Sequence, residues 1–422
     1  MQTLHLDLNA PSFVYDPYPT LKELRERMPV FYDEVWNRVF FLRYDDISAL
    51  LRDKRLGRSI THILSRDELG WPPRFPAPPG GVGPLSSPNP LTPDFDHFQE
   101  NHMLDNEPPK HTRLKGLMLK AFTPARVESL RGKIQAIVNA LIDRAEDAGR
   151  MDLLADYAEP LPVRVIAELL GVPEPDRHLL RPWSASIVKL YELGYSEEQA
   201  KAANQAVVDF SSYVKSLAEE RRKRPKDDLI TALVEVEEQG EKLTADELVA
   251  NCILLLNAGH EATVNGTTAG FLALSRNPDQ MERAKEAAAK GNSEFFKPAV
   301  EELLRYDTPL PMFERWVLED LELNGVSLRK GQEVALMYAS GNRDPRKFPD
   351  PDKLDLTRAE NYHLTFGLGI HYCIGAPLAR LELQTSFQML FKRLPKVRLA
   401  TDKVEYAGGF VIRGHRAMPV EW

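Results

Sequence analysis

Apolar residues recur at intervals of three and four along most of the chain, which is the spacing of one face of an α-helix. This pattern predicts helices at 201–224, 229–238, 278–290 and 377–391. Good helix formers occupy most of the positions between the apolar ones. The chain is therefore predicted to be mainly α-helical.

The clearest predicted helix starts in the segment LTADELVANCILLL. Thr244 and Glu247 have the spacing of a capping box, and no proline follows before Pro278. About 30 residues with a rise of 1.5 Å each make a rod of roughly 45 Å. We expect a helix this long and apolar to run through the centre of the molecule.

Strand patterns are fewer and lie mostly after residue 310. The segment RWVLEDLELNGVSL places Asn324 and Gly325 between two short alternating stretches, which predicts a β-hairpin. KVRLATD and GGFVIRG are further strand candidates near the C-terminus. With β-rich elements also expected near the N-terminus, the predicted fold class is α+β, mainly α with small β subdomains.

Residues 71–97 are dense in proline and glycine, and this composition predicts neither a regular helix nor a central strand. A surface loop is the simplest interpretation, and a lid over a pocket is the functional one. The chain has no internal repeat and no second change of composition, so we expect one domain over 1–422.

The composition narrows the function classes. The 422 residues carry a formal net charge of −8, and 43% are hydrophobic, as in ordinary globular proteins. The acidic balance argues against nucleic-acid binding. We expect no signal peptide, and polar residues interrupt the most apolar stretch, 252–274, so we expect no membrane span. Two cysteines, Cys252 and Cys373, are too few for a disulfide framework, which favours the cytoplasm.

Cys373 lies in the glycine-rich segment FGLGIHYCIGAPLARLE. Its spacing to Arg380 does not fit a cysteine phosphatase, and His371 with Cys373 offers too few ligands for zinc. The C-x-x-C-H pattern of c-type haem attachment is absent. A buried cysteine that only fills space remains the plain alternative.

The surroundings of Cys373 favour a chemical role. Glycines on both sides allow a bulky ligand to approach the backbone, and a helix pattern begins at once with Pro377. Amides at a helix start lower the pKa of a thiol. A thiolate that ligates haem iron makes use of both features.

The segment from Phe366 to Gly375 resembles the signature F-x-x-G-x-H/R-x-C-x-G of the cytochrome P-450 monooxygenases, and it matches at every fixed position. The resemblance implies haem b with Cys373 as the iron ligand and with Gly367 and His371 beside the cofactor. It also implies the family's fold, in which a long central helix crosses the haem and the cysteine loop lies on the opposite side.

Distant segments agree with this resemblance. Glu302-Leu-Leu-Arg305 resembles the family's E-x-x-R motif, and Arg358 stands where the family has a third member of that ion-pair network. The segments 342–345 and 348–351 resemble the stretch between these landmarks.

The segment 105–115 resembles the helix at the haem edge. The resemblance implies that His111 and Lys115 bind the haem propionates, with Arg315 as a third contact. Arginine is usual at the position of Lys115, and lysine lacks the planar guanidinium fork.

The oxygen side of the haem is implied to be formed by Ala258, Gly259 and Glu261, which resemble the pattern A/G-G-x-D/E-T. In the family, the acid and the alcohol of this pattern supply protons. Here Ala262 replaces the alcohol and Thr263 follows, although one helical step turns a side chain by about 100°. Thr263 or a water held by Glu261 carries the proton in one hypothesis, and a hydroxyl or carboxyl group of the substrate does so in the other.

The resemblance also implies a mostly apolar pocket that includes Leu310, Met312 and Val411 and is bordered by the 71–104 loop, which suits a small or medium organic substrate. No flavin or nicotinamide fingerprint is visible. We therefore expect electrons from a separate ferredoxin or flavodoxin with its reductase. The expected docking face is a basic patch on the thiolate side, formed by Lys110, Arg113, Lys115 and Lys120.

The sequence thus predicts a soluble, cytoplasmic, bacterial-type haem-thiolate monooxygenase, monomeric and without nucleic-acid or membrane partners. It would insert one atom of O₂ into its substrate by hydroxylation, O-dealkylation or epoxidation. An H₂O₂-driven peroxygenase of the same fold is an alternative because of Ala262. A haem gas sensor or electron carrier is the non-enzymatic alternative.

Overall fold

The structure is a computed structural model, and it describes residues 1–64, 68, 90–191, 195–238, 242–407 and 409–422. The predicted lid segment falls largely between two of these ranges, so 71–89 lie outside the described residues. The described part is mainly helical with small sheets, and the predicted fold class is confirmed.

The helices of the described residues are numbered in chain order. They are α1 (Pro11–Tyr15), α2 (Tyr18–Arg27), α3 (Tyr44–Arg52), α4 (Pro93–Asn101), α5 (Lys110–Ala121), α6 (Pro124–Ser129), α7 (Arg131–Asp143), α8 (Pro160–Leu170), α9 (Leu180–Val188), α10 (Glu197–Lys223), α11 (Leu229–Glu238), α12 (Ala245–Ser275), α13 (Pro278–Ala289), α14 (Phe296–Tyr306), α15 (Tyr338–Gly341) and α16 (Ala376–Arg393). One turn of π-helix, Leu153–Ala158, precedes α8.

The strands are numbered in the same way. They are β1 (Gln2–Thr3), β2 (Val30–Asp33), β3 (Arg38–Phe41), β4 (Leu56–Gly57), β5 (Arg150–Asp152), β6 (Phe313–Val317), β7 (Leu321–Leu323), β8 (Val326–Leu328), β9 (Glu333–Leu336), β10 (Arg398–Leu399), β11 (Tyr406–Ala407), β12 (Gly414–His415) and β13 (Pro419–Glu421).

Helix α12 is the central rod that the sequence predicts. Both hydrogen bonds of the capping box are present, from Glu247 N to Thr244 Oγ1 at 3.1 Å and from Thr244 N to Glu247 Oε2 at 2.9 Å. The helix then runs unbroken for 31 residues and packs against α8, α9, α10, α14 and α16. Most of its residues are buried, because other helices surround it.

The largest sheet has the strand order β1-β2-β3-β9-β6-β4. Strand β3 pairs in parallel with β9, so residues near the N-terminus share a sheet with residues after 310. The predicted hairpin is present between β7 and β8, with φ of 50° at Asn324 and 80° at Gly325. Two positive φ angles in a two-residue turn are the geometry that Asn-Gly favours.

Two local predictions are wrong. Helix α4 begins at Pro93, inside the segment that was expected to lack helix, because proline is compatible with the first turn. In GGFVIRG, residues 410–413 form no strand, and only Gly414–His415 pairs, with Tyr406–Ala407. Side chains hold this stretch instead: the ring of Phe410 packs 4.8 Å from that of Phe13, and Arg413 donates to Val14 O at 2.6 Å.

Among the described residues, no helix is both long and apolar enough to cross a membrane.

Candidate active site

The cysteine loop is a tight turn between residue 364 and α16. Cys373 N donates to Phe366 O at 3.0 Å, and Gly367 N donates to Leu364 O at 2.7 Å. Gly367 and Gly369 have φ angles of 64° and 71°. A Cβ atom at Gly369 would lie 2.2 Å from the carbonyl oxygen of Leu51, so this position requires glycine.

The Cys373 side chain lies on the open side of this loop and is exposed. Desolvation by the surrounding protein raises the pKa of the thiol, while the amides of Gly375 and Ala376 and the charge of Lys115 act in the opposite direction. The sequence predicts a net lowering of this pKa, but desolvation by the surrounding protein outweighs the amides and Lys115 together. Coordination to a metal deprotonates a thiol outright, and the exposed side of Cys373 leaves space for such a ligand.

Two buried groups beside the loop lack partners that neutralise them. Arg315 is 3% exposed and, within the described chain, has no carboxylate within ion-pair distance; its Nη1 donates to Glu314 O at 2.8 Å, and its guanidinium also contacts the hydroxyl of Tyr338. His111 is also 3% exposed, its Nδ1 has no hydrogen-bond partner among the residues that the structure describes, and burial lowers its pKa to about 4. A buried cation and an unpaired ring nitrogen fit an anionic group, as haem propionates would be.

Lys115 contacts the cysteine loop, and its role as a propionate ligand stays a prediction. Its Nζ donates to the carbonyl oxygens of Ile370 at 2.5 Å and Tyr372 at 2.7 Å. The flexible ammonium therefore fastens α5 to the cysteine loop. His371 lies nearby with its Nε2 3.2 Å from Glu107 Oε1 and its ring 4.3 Å from that of His111.

Helix α12 presents an open face at the predicted oxygen site. Ala258 is exposed within an otherwise buried stretch, and Glu261 and Ala262 are partly exposed. A Cβ atom at Gly259 would lie 3.3 Å from Ile166 Cδ1, so this glycine allows α8 to approach. Since the helix is unbroken, Thr263 is turned away from this face and is 4% exposed. The local unwinding that Thr263 would need in order to replace the alcohol is absent at this described turn.

The structure brings together the E-x-x-R residues and Arg358. Arg305 donates through Nε to Glu302 Oε2 at 2.7 Å and through Nη2 to Oε1 at 2.9 Å, and both side chains are fully buried. Arg358 Nε donates to Glu302 Oε2 at 3.0 Å. Arg305 also donates to the carbonyl oxygens of Asn342 and Pro351, so the network ties α14 to the segment before the cysteine loop.

Sequence reasoning missed two residues of this region. Asn361 donates to Glu302 Oε2 at 3.0 Å, and Glu107 accepts from the amide of Ser59 as well as contacting His371. A lone amide or carboxylate has no periodic signal, so only its neighbours in space reveal its role.

The predicted pocket residues lie in two different environments. Leu310 and Val411 are partly exposed, whereas Met312 is fully buried in an apolar cluster that also contains Phe13 and Phe410. Met312 is therefore part of the core rather than of an open wall.

The predicted basic patch is smaller than the sequence indicated. Arg113 pairs with Glu247 on α12, and Lys110 Nζ donates to Glu100 O at 2.5 Å. Large apolar side chains are exposed on α5 and around the cysteine loop, namely Leu119, Tyr362, Ile370 and Tyr372.

Comparison with known proteins identifies the family. The Cytochrome P450 family model matches residues 186–395. The chain is 36% identical to the polyketide biosynthesis cytochrome P450 PksS of Bacillus subtilis, over 100% of this chain and 99% of that protein. It is 37% identical to the cytochrome P450 monooxygenase PikC of Streptomyces venezuelae, over 99% and 94% of the two chains.

The crystal structure of P450BioI with a fatty-acid-loaded acyl carrier protein superposes with a TM-score of 0.85 at 33% identity, over 98% of this chain and 100% of that one. The chain therefore belongs to the cytochrome P450 family, as a haem-dependent monooxygenase that acts on organic substrates.

Proposed function

We propose that Cys373 is the thiolate ligand of the haem iron and that the enzyme inserts one atom of O₂ into a small or medium, mainly apolar substrate. The observation that carries this proposal is the cysteine loop, in which Cys373 is exposed and the ring of His371 lies 4.3 Å from that of the buried His111, whose Nδ1 has no partner among the described residues. When bound, haem supplies the activation of dioxygen. The protein supplies binding, orientation and protons.

Some residues around this site would contact the cofactor, and others fix the protein segments that surround it. Arg315, His111 and His371 hold the propionate edge, and Gly367 and Gly375 let the cofactor lie close to the loop. Glu302, Arg305 and Arg358 fix the preceding segment. Lys115 fixes the loop itself through the carbonyls of Ile370 and Tyr372.

On the opposite face of the cofactor site, the small side chain of Ala258 leaves space above the cofactor, and the carboxyl group of Glu261 transfers protons. Leu310 and Val411 belong to the pocket wall, and we exclude Met312 because it is fully buried. Apolar walls with few polar groups suit a medium-sized hydrocarbon-rich substrate. The solved P450BioI complex carries hexadec-9Z-enoic acid on its carrier protein, so the free acid is a reasonable first probe.

Isotope labelling tests the proposed reaction. Purified enzyme, a surrogate ferredoxin with its reductase, and hexadec-9Z-enoic acid are incubated under ¹⁸O₂, and the product is analysed by mass spectrometry. We expect one ¹⁸O atom per product molecule, since the other oxygen atom leaves as water. A product that carries oxygen only from water would contradict the proposal.

The electron donor is proposed to be a small acidic ferredoxin or flavodoxin. It would dock on the exposed side chains around the cysteine loop, Leu119, Ile370 and Tyr372, with Lys120 at the edge. Because the carboxylate of Glu247 pairs with Arg113, we expect a modest dependence of the reduction rate on ionic strength. A rate independent of salt, with Leu119→Ser as active as the parent, would contradict this docking face.

A peroxygenase remains the second candidate because Ala262 lacks the alcohol of the family pattern. Turnover with H₂O₂ in the absence of the electron donor tests this candidate. Sustained turnover at the donor-driven rate would favour it.

A further inference from the structure

Within the described part of the chain, three buried polar side chains on the packed helices α9 and α12 have atoms without a hydrogen-bond partner. The unpaired atoms are Oγ of Ser184, both amide atoms of Asn257 and both ring nitrogens of His260. These residues are 0%, 5% and 3% exposed. Each unpaired buried polar atom costs roughly 1–3 kcal/mol, so such a cluster calls for a function or for bound water. We name this cluster the α9–α12 seam.

His260 is buried next to Glu261 on α12. Its Nδ1 is 3.7 Å from Glu261 Oε1, which is too long for a direct hydrogen bond and within reach through one water. Arg181 of α9 and the backbone carbonyl of Glu159 lie near the other side of the His260 ring. Arg181 lowers the pKa of His260, and the carbonyl raises it, although the contact does not have the geometry of a hydrogen bond. Arg181 and Glu159 form an ion pair that is partly exposed to solvent.

We propose that His260 is a proton-relay residue that carries protons from solvent at the Glu159–Arg181 ion pair to the carboxylate of Glu261, through waters held by the α9–α12 seam. This inference rests on the proposed role of Glu261 in the reaction. It assigns a function to a residue at the variable position of the family pattern, and it explains how protons enter without an alcohol at residue 262.

The relay is balanced in protons and moves no electrons. The neutral imidazole accepts a proton from water at Nε2, its Nδ1–H bond breaks, and that proton passes through water to Glu261. The ring is left neutral in the other tautomer and resets by exchange with water. Burial and Arg181 lower the pKa of His260 to about 4, so the neutral ring that this cycle requires is the resting form at neutral pH. Asn257 and Ser184 offer the polar partners that a buried water needs.

A nuclear magnetic resonance experiment on the holoenzyme tests the relay without turnover. The chain is labelled with ¹⁵N-histidine and observed in the diamagnetic ferrous carbon monoxide form, and the His260 signals are assigned with His260→Gln or, if that variant does not fold, His260→Asn. We expect a neutral ring with mixed tautomers and fast exchange with water. His415 is the internal control: its Nδ1 lies 2.9 Å from Thr268 Oγ1, and because that hydroxyl donates to Val264 O at 3.2 Å, it accepts from His415 and favours the Nδ1–H tautomer. A His260 ring locked in one tautomer with slow exchange would overturn the proposal.

The coupling of electron use to product formation during turnover provides a second test of the relay. In His260→Gln, the fraction of electrons that appears in product is expected to fall about tenfold or more, because a proton-transfer group has been removed. Cys252→Ala, at a buried position on the same helix, is the control and is expected to match the parent. Equal coupling in His260→Gln and the parent would also overturn the relay. If the parent lacks the carbon monoxide spectrum of a haem thiolate, the haem-thiolate function is refuted instead. Failure of the relay and failure of the proposed function are therefore distinguishable.

Discussion

Glu382 is a carboxyl group buried in α16, and no charged partner for it occurs in the described ranges of the chain. It is 2% exposed, its Oε2 has no hydrogen-bond partner, and burial raises its pKa from 4.5 to about 8. The unfolded chain ionises this group above pH 4.5, whereas the folded chain keeps it protonated up to about pH 8. Its contribution to stability is therefore complete below pH 4.5 and is lost as the pH rises through this window.

The substitution Glu382→Gln tests this assignment. The variant keeps the shape but cannot ionise, so it should be more stable than the parent at pH 7, by roughly 3 kcal/mol, and equally stable near pH 4.5. The measurement is the midpoint of denaturant unfolding at several pH values. If the two proteins show the same pH dependence, Glu382 is not a protonated buried acid.

Thr263 tests the proton path from the other direction. Its side chain is turned away from the open face of α12, so Thr263→Val should change the coupling of electrons to product by less than about twofold. The matched variant is His260→Gln, for which a large loss is expected. A tenfold loss in Thr263→Val would show that the alcohol at residue 263 handles the proton after all.

At the scale of elements, the Glu302 network joins α14 to the segment that leads into the cysteine loop. Glu302→Ala leaves Arg305 buried without its carboxylate, which typically costs 3–5 kcal/mol. We expect a lower unfolding midpoint and a lower haem content after expression. Glu294→Ala is the control, because its pair with Lys297 is exposed and should contribute less than about 0.5 kcal/mol. Equal stability of the two variants would contradict the structural role of the network.

The elements differ in how well the sequence predicted them. Helix α12 and its cap were predictable, because capping spacing and the absence of proline act locally. The need for glycine in the cysteine loop was also predictable, because only glycine tolerates the φ angle and the close contact at residue 369. The stretch 410–413 was not, because its apolar and charged residues are fixed by distant partners rather than by strand pairing.

The site shows the same division. Cys373 and its glycines follow from a contiguous pattern, whereas the contacts of Lys115 and the pairing of Arg113 with Glu247 depend on where α5 meets other elements. Nothing in the sequence distinguishes Met312 in the core from Leu310 at an open wall. The unpaired nitrogens of His260 also require the packed structure.

At the scale of the whole molecule, the chain ends are tied into distant segments. Strand β3 pairs with β9, and β13 pairs with β5, so segments near both ends share sheets with distant parts of the chain. The assignment of one domain over 1–422 stays a prediction. It implies a single calorimetric transition for the holoenzyme, and two separable transitions would contradict it.

The central claim is that Cys373 binds haem iron as a thiolate. The most direct measurement is the absorption spectrum of the reduced protein with carbon monoxide, compared among the parent, Cys252→Ser and Cys373→Ser. The account predicts a strongly red-shifted Soret band in the parent and in Cys252→Ser, and its loss in Cys373→Ser. An unshifted band in the parent, or a shifted band that survives Cys373→Ser, would contradict it.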